Sequence, residues 1–114
     1  MENHQVSLDP IFHALADPTR RMVVQRLGRG PATVSDLARP FPITLPTFLK
    51  HVAVLEGAGL VATRKVGRVR SCALNPERLA AAERWFEEQR AVWRSRYENL
   101  DGLLGSLNGD ADDD

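Results

Sequence analysis

The sequence predicts a mostly α-helical domain that carries one small β-hairpin. Three observations lead there. Before residue 60, apolar-periodic segments are repeatedly closed off by proline or glycine. Two strand-like runs, LVATRKV and VRSCAL, then meet around Gly67-Arg68. From about Glu77 onward the apolar residues repeat every seven positions.

A first helix is expected over residues 7–16, with Ile11, Phe12 and Leu15 on one face. The stretch ADPTRR starts a second. Asp17 is a good N-cap, and Pro18 suits the first helical position because its missing N–H has no partner there anyway. This helix runs through Met22, Val23, Val24 and Leu27 and stops at Gly28-Arg29-Gly30-Pro31. Leu15, Val23 and Leu27 are expected in the core. A short third helix, TVSDLA, starts at Thr33 or Val34 and ends before RPFP, since Pro40 and Pro42 forbid its continuation. Thr44 caps a fourth helix with Pro46 in its first turn. Phe48, Val52 and Leu55 point inward, and Gly57 and Gly59 end it, Gly59 as the left-handed cap. Helix, tight proline-bearing turn and helix make a helix-turn-helix pattern.

The hairpin follows, and Asn75-Pro76 opens a long last helix. Along it Leu79, Phe86, Trp93, Leu100 and Leu107 are seven apart, with Tyr97 and Leu104 between them. Such a stripe suits helix–helix pairing. Arg90 interrupts it, and Gly102 and Gly105 weaken its end. The expected fold is a winged helix-turn-helix with a long C-terminal dimerisation helix. It forms one domain over residues 1–107, followed by an acidic, disordered tail at 108–114.

A length of 114 residues allows one domain and one core, and is short for an enzyme with a deep cleft. No apolar run approaches the ~20 residues of a membrane span. The polar Glu2, Asn3, His4 and Gln5 do not resemble a signal peptide, so a cytoplasmic protein without membrane contact is expected. The single cysteine, Cys72, excludes an internal disulfide framework and argues against a thiolate metal site. A packed or half-exposed thiol is its expected state. The zero net charge hides a split. Residues 1–97 carry all 15 Lys/Arg against nine acids, a net of +6, while residues 98–114 carry six acids and no cation. That asymmetry points toward nucleic acid.

With Phe48, Val52 and Leu55 inward, the fourth helix turns Thr44, Leu45, Pro46, Thr47, Lys50 and His51 outward or sideways in its N-terminal half. Those positions meet base edges when a helix enters the major groove by its N-terminus. Lys50 reaches guanine or phosphate. Thr47 donates or accepts a hydrogen bond, Leu45 and Pro46 suit a thymine methyl, and His51 either contacts DNA or supports the helix. In the hairpin, Arg64, Lys65, Arg68 and Arg70 fall within seven residues with no acid among them. Such a hairpin can lie along a phosphate backbone; the alternative is a charged edge that resists sheet aggregation. Arg20, Arg21 and Arg39 are secondary phosphate candidates. No nucleophile elbow, phosphate-binding glycine loop or spaced Cys-His pair is present, so no enzyme is expected. Glu83, Glu87 and Glu88 alternate with Arg84 and Arg90 as on an ordinary solvated helix face.

LADPTRRMVVQRL, TVSDLA, LPTFLKHVAVLEGAGLV and GRVRSCALNP, in that order and spacing, resemble the ArsR-type winged helix-turn-helix transcriptional repressors over roughly residues 8–107. PFPITLPTFLKHVAVLEGAGLV followed by a tryptophan-bearing last helix is similar to a metal-independent branch of that family. The resemblance implies a recognition helix at 44–58 and a wing at about 60–74. It also implies a homodimer with the first and last helices at the interface: Phe12 from the first, and Trp85, Phe86, Trp93, Tyr97, Leu100 and Leu104 from the last. The partner expected is double-stranded DNA bearing an inverted repeat.

Two departures stand out. The third helix has Thr33 and Ser35 where metal-sensing members carry paired cysteines, and the last helix has no histidine. His4, His13 and His51 lie on separate elements. No metal or cofactor is therefore expected, and the sequence names no effector. Leu49 stands where the family often has a small polar residue. The rival readings are a winged module that binds another protein, and a repressor that answers to a metal or small molecule.

Overall fold

The computed structural model describes residues 7–112, with side chains described for 7–107. The elements are α1 (Asp9–Leu15), α2 (Pro18–Leu27), β1 (Ala32–Thr33), α3 (Val34–Ala38), α4 (Leu45–Gly57), β2 (Val61–Val66), β3 (Val69–Leu74) and α5 (Pro76–Asp112).

Local chemistry explains most boundaries. Three N-caps work alike: a side-chain oxygen accepts the N–H of the third helical residue, one of the donors that a helix start leaves unpaired. Asp17 accepts from Arg20 N at 3.0 Å, Thr33 from Asp36 N at 3.1 Å and Thr44 from Thr47 N at 3.3 Å. Helix α4 ends in a Schellman arrangement. Gly59 takes φ +78°, Leu60 N–H donates to Leu55 O at 3.0 Å and Gly59 N–H to Glu56 O at 2.9 Å. Leu55 and Leu60 are both buried, so the motif aims the chain into β2 and closes the core together.

The expected hairpin is present, turning at Gly67 with φ +63°. It is not alone, however. Strand β1 pairs antiparallel with β3, Ala32 opposite Cys72 and Thr33 opposite Ser71, giving a three-stranded sheet of order β1-β3-β2. Two residues are too few to show a strand's period-two pattern, so β1 was illegible in the sequence. Helix α1 is also shorter than the expected 7–16. Its buried residues are Ile11 and Ala14, three apart on one stripe, while Leu15 is only half-buried at the edge of the core.

The core centres on Phe48, Ile11, Leu55, Leu60, Val23, Val52 and Cys72, drawn from α1, α2, α4, the link after α4 and the sheet. Phe41, in the turn before α4, stacks on Phe48 with ring centroids 5.6 Å apart. The chain divides into two compact units at Ala82. The first ends with the opening turns of α5, where Ala81 and Ala82 are buried. From Glu83 the second unit is helical, and its backbone stays helical through Asp112, past the boundary expected at residue 107. The acidic side chains of the expected tail lie outside the described residues.

Candidate nucleic-acid interface

Between Asp36 and Glu77 the chain holds one acid, Glu56, against Arg39, Lys50, Arg64, Lys65, Arg68 and Arg70. This stretch covers the turn, α4 and the hairpin. The fold gathers part of it into one cleft, lined by Thr33, Val34 and Ser35 at the start of α3, by Leu45 and Leu49 of α4, and by Thr63, Lys65, Arg68, Val69 and Arg70 of the hairpin.

Helix α4 supplies one wall. Its inward stripe, Phe48, Val52 and Leu55, is fully buried, so Leu45, Pro46, Thr47 and Lys50 are forced outward and are exposed. The Thr44 hydroxyl, besides capping the helix, donates to Thr47 Oγ1 at 3.0 Å, which leaves the Thr47 hydroxyl proton free for another acceptor. Leu49 is half-buried against the core, so its departure from a small polar residue serves packing as well as surface.

The hairpin supplies the other wall, and its register sorts the basic residues. Lys65 sits opposite Arg70, Thr63 opposite Cys72 and Arg64 opposite Ser71. Paired residues share a face, and faces alternate along a strand. Lys65 and Arg70 therefore face the cleft, with Arg68 alongside near the tip, and Arg64 lies on the opposite face. The four-residue cluster read from the sequence is thus split.

Hydrogen bonds sort the charges further. Among the described residues, Lys50, Arg64, Lys65 and Arg68 have no hydrogen-bond or ion-pair partner. Arg70 is engaged: its Nη2 lies 3.5 Å from Glu56 Oε1 and donates to Thr63 Oγ1 at 3.4 Å, while Thr63 Oγ1 donates to Glu56 Oε2 at 2.7 Å. These three residues tie the hairpin to the last turn of α4. Glu56 and Thr63 were missed by the sequence reading, because nothing local couples position 56 to positions 63 and 70.

The secondary candidates are engaged too. Arg39 pairs with Asp36 at 2.8 Å, and Arg21 donates to Leu15 O at 2.9 Å. His51 is half-buried and turned back onto α2, its Nδ1 3.1 Å from Arg20 Nη1 and 3.7 Å from Asp17 Oδ2. Asp17 has its pKa lowered. The Arg20 N–H bond is the main cause, partial burial opposes it, and the charge of Arg20 reinforces it.

Cys72 is 1% exposed in the middle of β3. Burial pushes its thiol pKa up, against a smaller opposite pull from Arg70, so the thiolate is disfavoured. Among the described residues no three His, Cys, Asp or Glu side chains are grouped to hold a metal ion, and no helix is long and apolar enough to cross a membrane.

In the second unit Trp85 meets Phe86 edge-to-face at 5.2 Å. The stripe beyond it stays on the surface: Trp93 is 44% exposed, Tyr97 65%, Leu100 50% and Leu104 46%. Leu107 is exposed as well.

Comparison with known proteins agrees with this architecture. Residues 15–64 match a helix-turn-helix domain family. The chain is 45% identical over 75 residues to the HTH-type transcriptional regulator Rv2034 of Mycobacterium tuberculosis, covering 66% of this chain and 70% of the relative. It is 30% identical over 79 residues to the transcriptional repressor SdpR of Bacillus subtilis, covering 69% and 88%. The crystal structure of an ArsR family transcriptional regulator superposes with a TM-score of 0.73 at 56% identity, covering 77% of this chain and 91% of that one. With an exposed α4 and a basic hairpin beside it, the chain belongs to the ArsR family of winged helix-turn-helix regulators, which bind double-stranded DNA to control transcription.

Proposed function

We propose that the protein is a homodimeric transcriptional repressor that reads an inverted-repeat operator through α4 and the β2–β3 wing. The observation that carries the reading is the sorting of side chains on one surface. Leu45, Pro46, Thr47 and Lys50 are exposed on the first turns of α4, and the unpaired Lys65 and Arg68 face the same cleft. Major-groove entry by the N-terminus of α4 puts the first four against base edges. The wing cations then lie along phosphate, where each neutralised charge releases counterions. Thr44 holds the end of α4 that approaches the DNA. Arg70 adds positive potential to the wing while held by Glu56, and Arg64 serves phosphate on the wing's other face.

The homodimer rests on α5. Contiguous exposed apolar surface marks interaction sites, and Trp93, Tyr97, Leu100 and Leu104 form an exposed apolar stripe. Its seven-residue period suits a second copy of the same helix. Phe12, Trp85 and Phe86 complete the proposed interface. Two bound recognition helices then lie about one turn of DNA apart, roughly 34 Å. Repression is the role of the Bacillus subtilis relative, a transcriptional repressor. The family is not an enzyme class, and the protein acts where DNA is, in the cytoplasm, without catalysis of its own. Regulation is independent of a metal ion: the start of α3 offers its cap Thr33 and Ser35 in place of thiols, and α5 offers no histidine.

The test is selection of bound sites from random duplex DNA by the purified full chain at near-physiological salt. Enrichment of an inverted repeat is expected. No enrichment above background would reject sequence-specific DNA binding and favour a protein partner for the winged surface.

A further inference from the structure

Two motifs that are separate in the sequence, ADPTR at the start of α2 and LKHV in α4, meet in space at one node. Arg20 is its hub. Its Nε donates to Ala14 O at 2.7 Å and its Nη2 to His13 O at 3.3 Å, so it closes the open carbonyl end of α1. Its backbone N–H is bonded to the Asp17 carboxylate at 3.0 Å, which caps α2. Its Nη1 reaches His51 Nδ1 on α4 at 3.1 Å, and Asp17 Oδ2 stands 3.7 Å from the same nitrogen. The His51 side chain is 20% exposed and that of Asp17 30%. One guanidinium thus links the end of α1, the start of α2 and the middle of α4.

Arginine is a donor only and does not lose its proton in a protein. A nitrogen that receives its N–H must offer a lone pair. With Arg20 bonded, His51 Nδ1 is therefore the acceptor and the ring proton sits on Nε2.

We propose that Arg20, anchored on the carbonyl end of α1, is a clamp that holds His51 as its neutral Nε2–H tautomer and thereby sets the rotation of α4 on its helical axis. Arg20 and His51 are positioning residues for DNA recognition, not phosphate ligands. The proposal rests on the reading of α4 as the DNA-reading helix. It makes chemical sense of the arrangement. Lys50 and Thr47 point outward only if α4 does not roll; the buried stripe fixes which face is inward, but apolar contacts are not directional. A hydrogen-bonded node one residue beyond Lys50 supplies the direction.

The first readout needs no DNA and no variant. Long-range nitrogen–proton NMR correlations of the His51 ring in the full chain are expected to show Nε2–H with a bare Nδ1. A proton on Nδ1 would overturn the clamp. The second readout is DNA affinity as a function of salt, using the operator recovered by site selection. Arg20→Gln is expected to weaken binding about tenfold, as for loss of a hydrogen bond to a charged group, and to leave the salt slope at the wild-type value. A slope shallower by about 0.9 for each lost contact would make Arg20 a phosphate ligand and overturn the assignment. Unchanged affinity would overturn it as well. The third readout compares His51→Ala with His51→Asn, whose amide oxygen offers an acceptor near the place of Nδ1. The asparagine is expected to recover most of the affinity lost in the alanine, and failure to do so would remove the acceptor role. If the wild-type chain binds no duplex DNA, the function proposed above fails, while the tautomer still decides the clamp.

Discussion

Asp17 shows how much one residue does here. It caps α2, and its carboxylate also faces His51 on α4. Replacing it with alanine is expected to cost ~1 kcal/mol, as for other N-caps, measurable by urea denaturation. Its pKa is lowered below the ordinary 3.8, chiefly by the Arg20 N–H bond. The folded state thus favours the ionised form. The resulting stability is complete above the ordinary value and is lost as pH falls through the lowered folded-state value. Asp17→Asn keeps a capping oxygen without a titrating group. On acidification below about pH 4, the wild type is expected to lose stability more steeply than this variant, and parallel curves would deny the carboxylate its role. The caps at Asp17, Thr33 and Thr44 were legible because the donor lies three residues away. The bond between Arg20 and His51 spans 31 positions, and no local pattern announces it.

At the scale of elements, the wing and α5 each carry an expectation. The Glu56–Thr63–Arg70 network joins the last turn of α4 to β2 and β3. Glu56→Ala is expected to speed amide hydrogen exchange across residues 63–70. Because both charged groups are about 40% exposed, the global stability should fall by less than ~1 kcal/mol. Unchanged exchange in the wing would mean that the sheet alone holds it. On α5, Trp93→Ala is expected to cost the proposed dimer on the order of 3 kcal/mol if the ring is buried between copies. Dimer and DNA binding should disappear together in sedimentation and binding assays. A normal dimer that no longer binds DNA would place Trp93 elsewhere in the mechanism. The helices were legible because their apolar residues recur at helical spacing and their ends carry Pro, Gly, Asp or Thr. Strand β1 was not, since its two residues owe their conformation to β3 alone.

At the scale of the whole molecule, charge is divided along the chain. The net +6 of residues 1–97 is balanced by the six acids of residues 98–114. If the acids at 110–114 compete with DNA for the basic surface, deleting residues 108–114 tightens binding at low salt, where such effects are least screened. The same affinity with and without them would mark the segment as solubilising only. By itself the sequence determined the order of helices and hairpin, the outward set on α4 apart from His51, the apolar stripe of seven-residue period on α5 and the family. Those properties come from periodicity, caps and turn residues, which act over a few positions. Only the tertiary structure decided which charges are available. It left Lys50, Lys65 and Arg68 free in or beside one cleft, drew Arg70 onto Glu56 and locked Arg20 and His51 together. The reason is physical: whether a cation meets DNA or a carboxylate of its own chain depends on distances of 3–4 Å between residues remote in sequence, and only the packed core sets those distances.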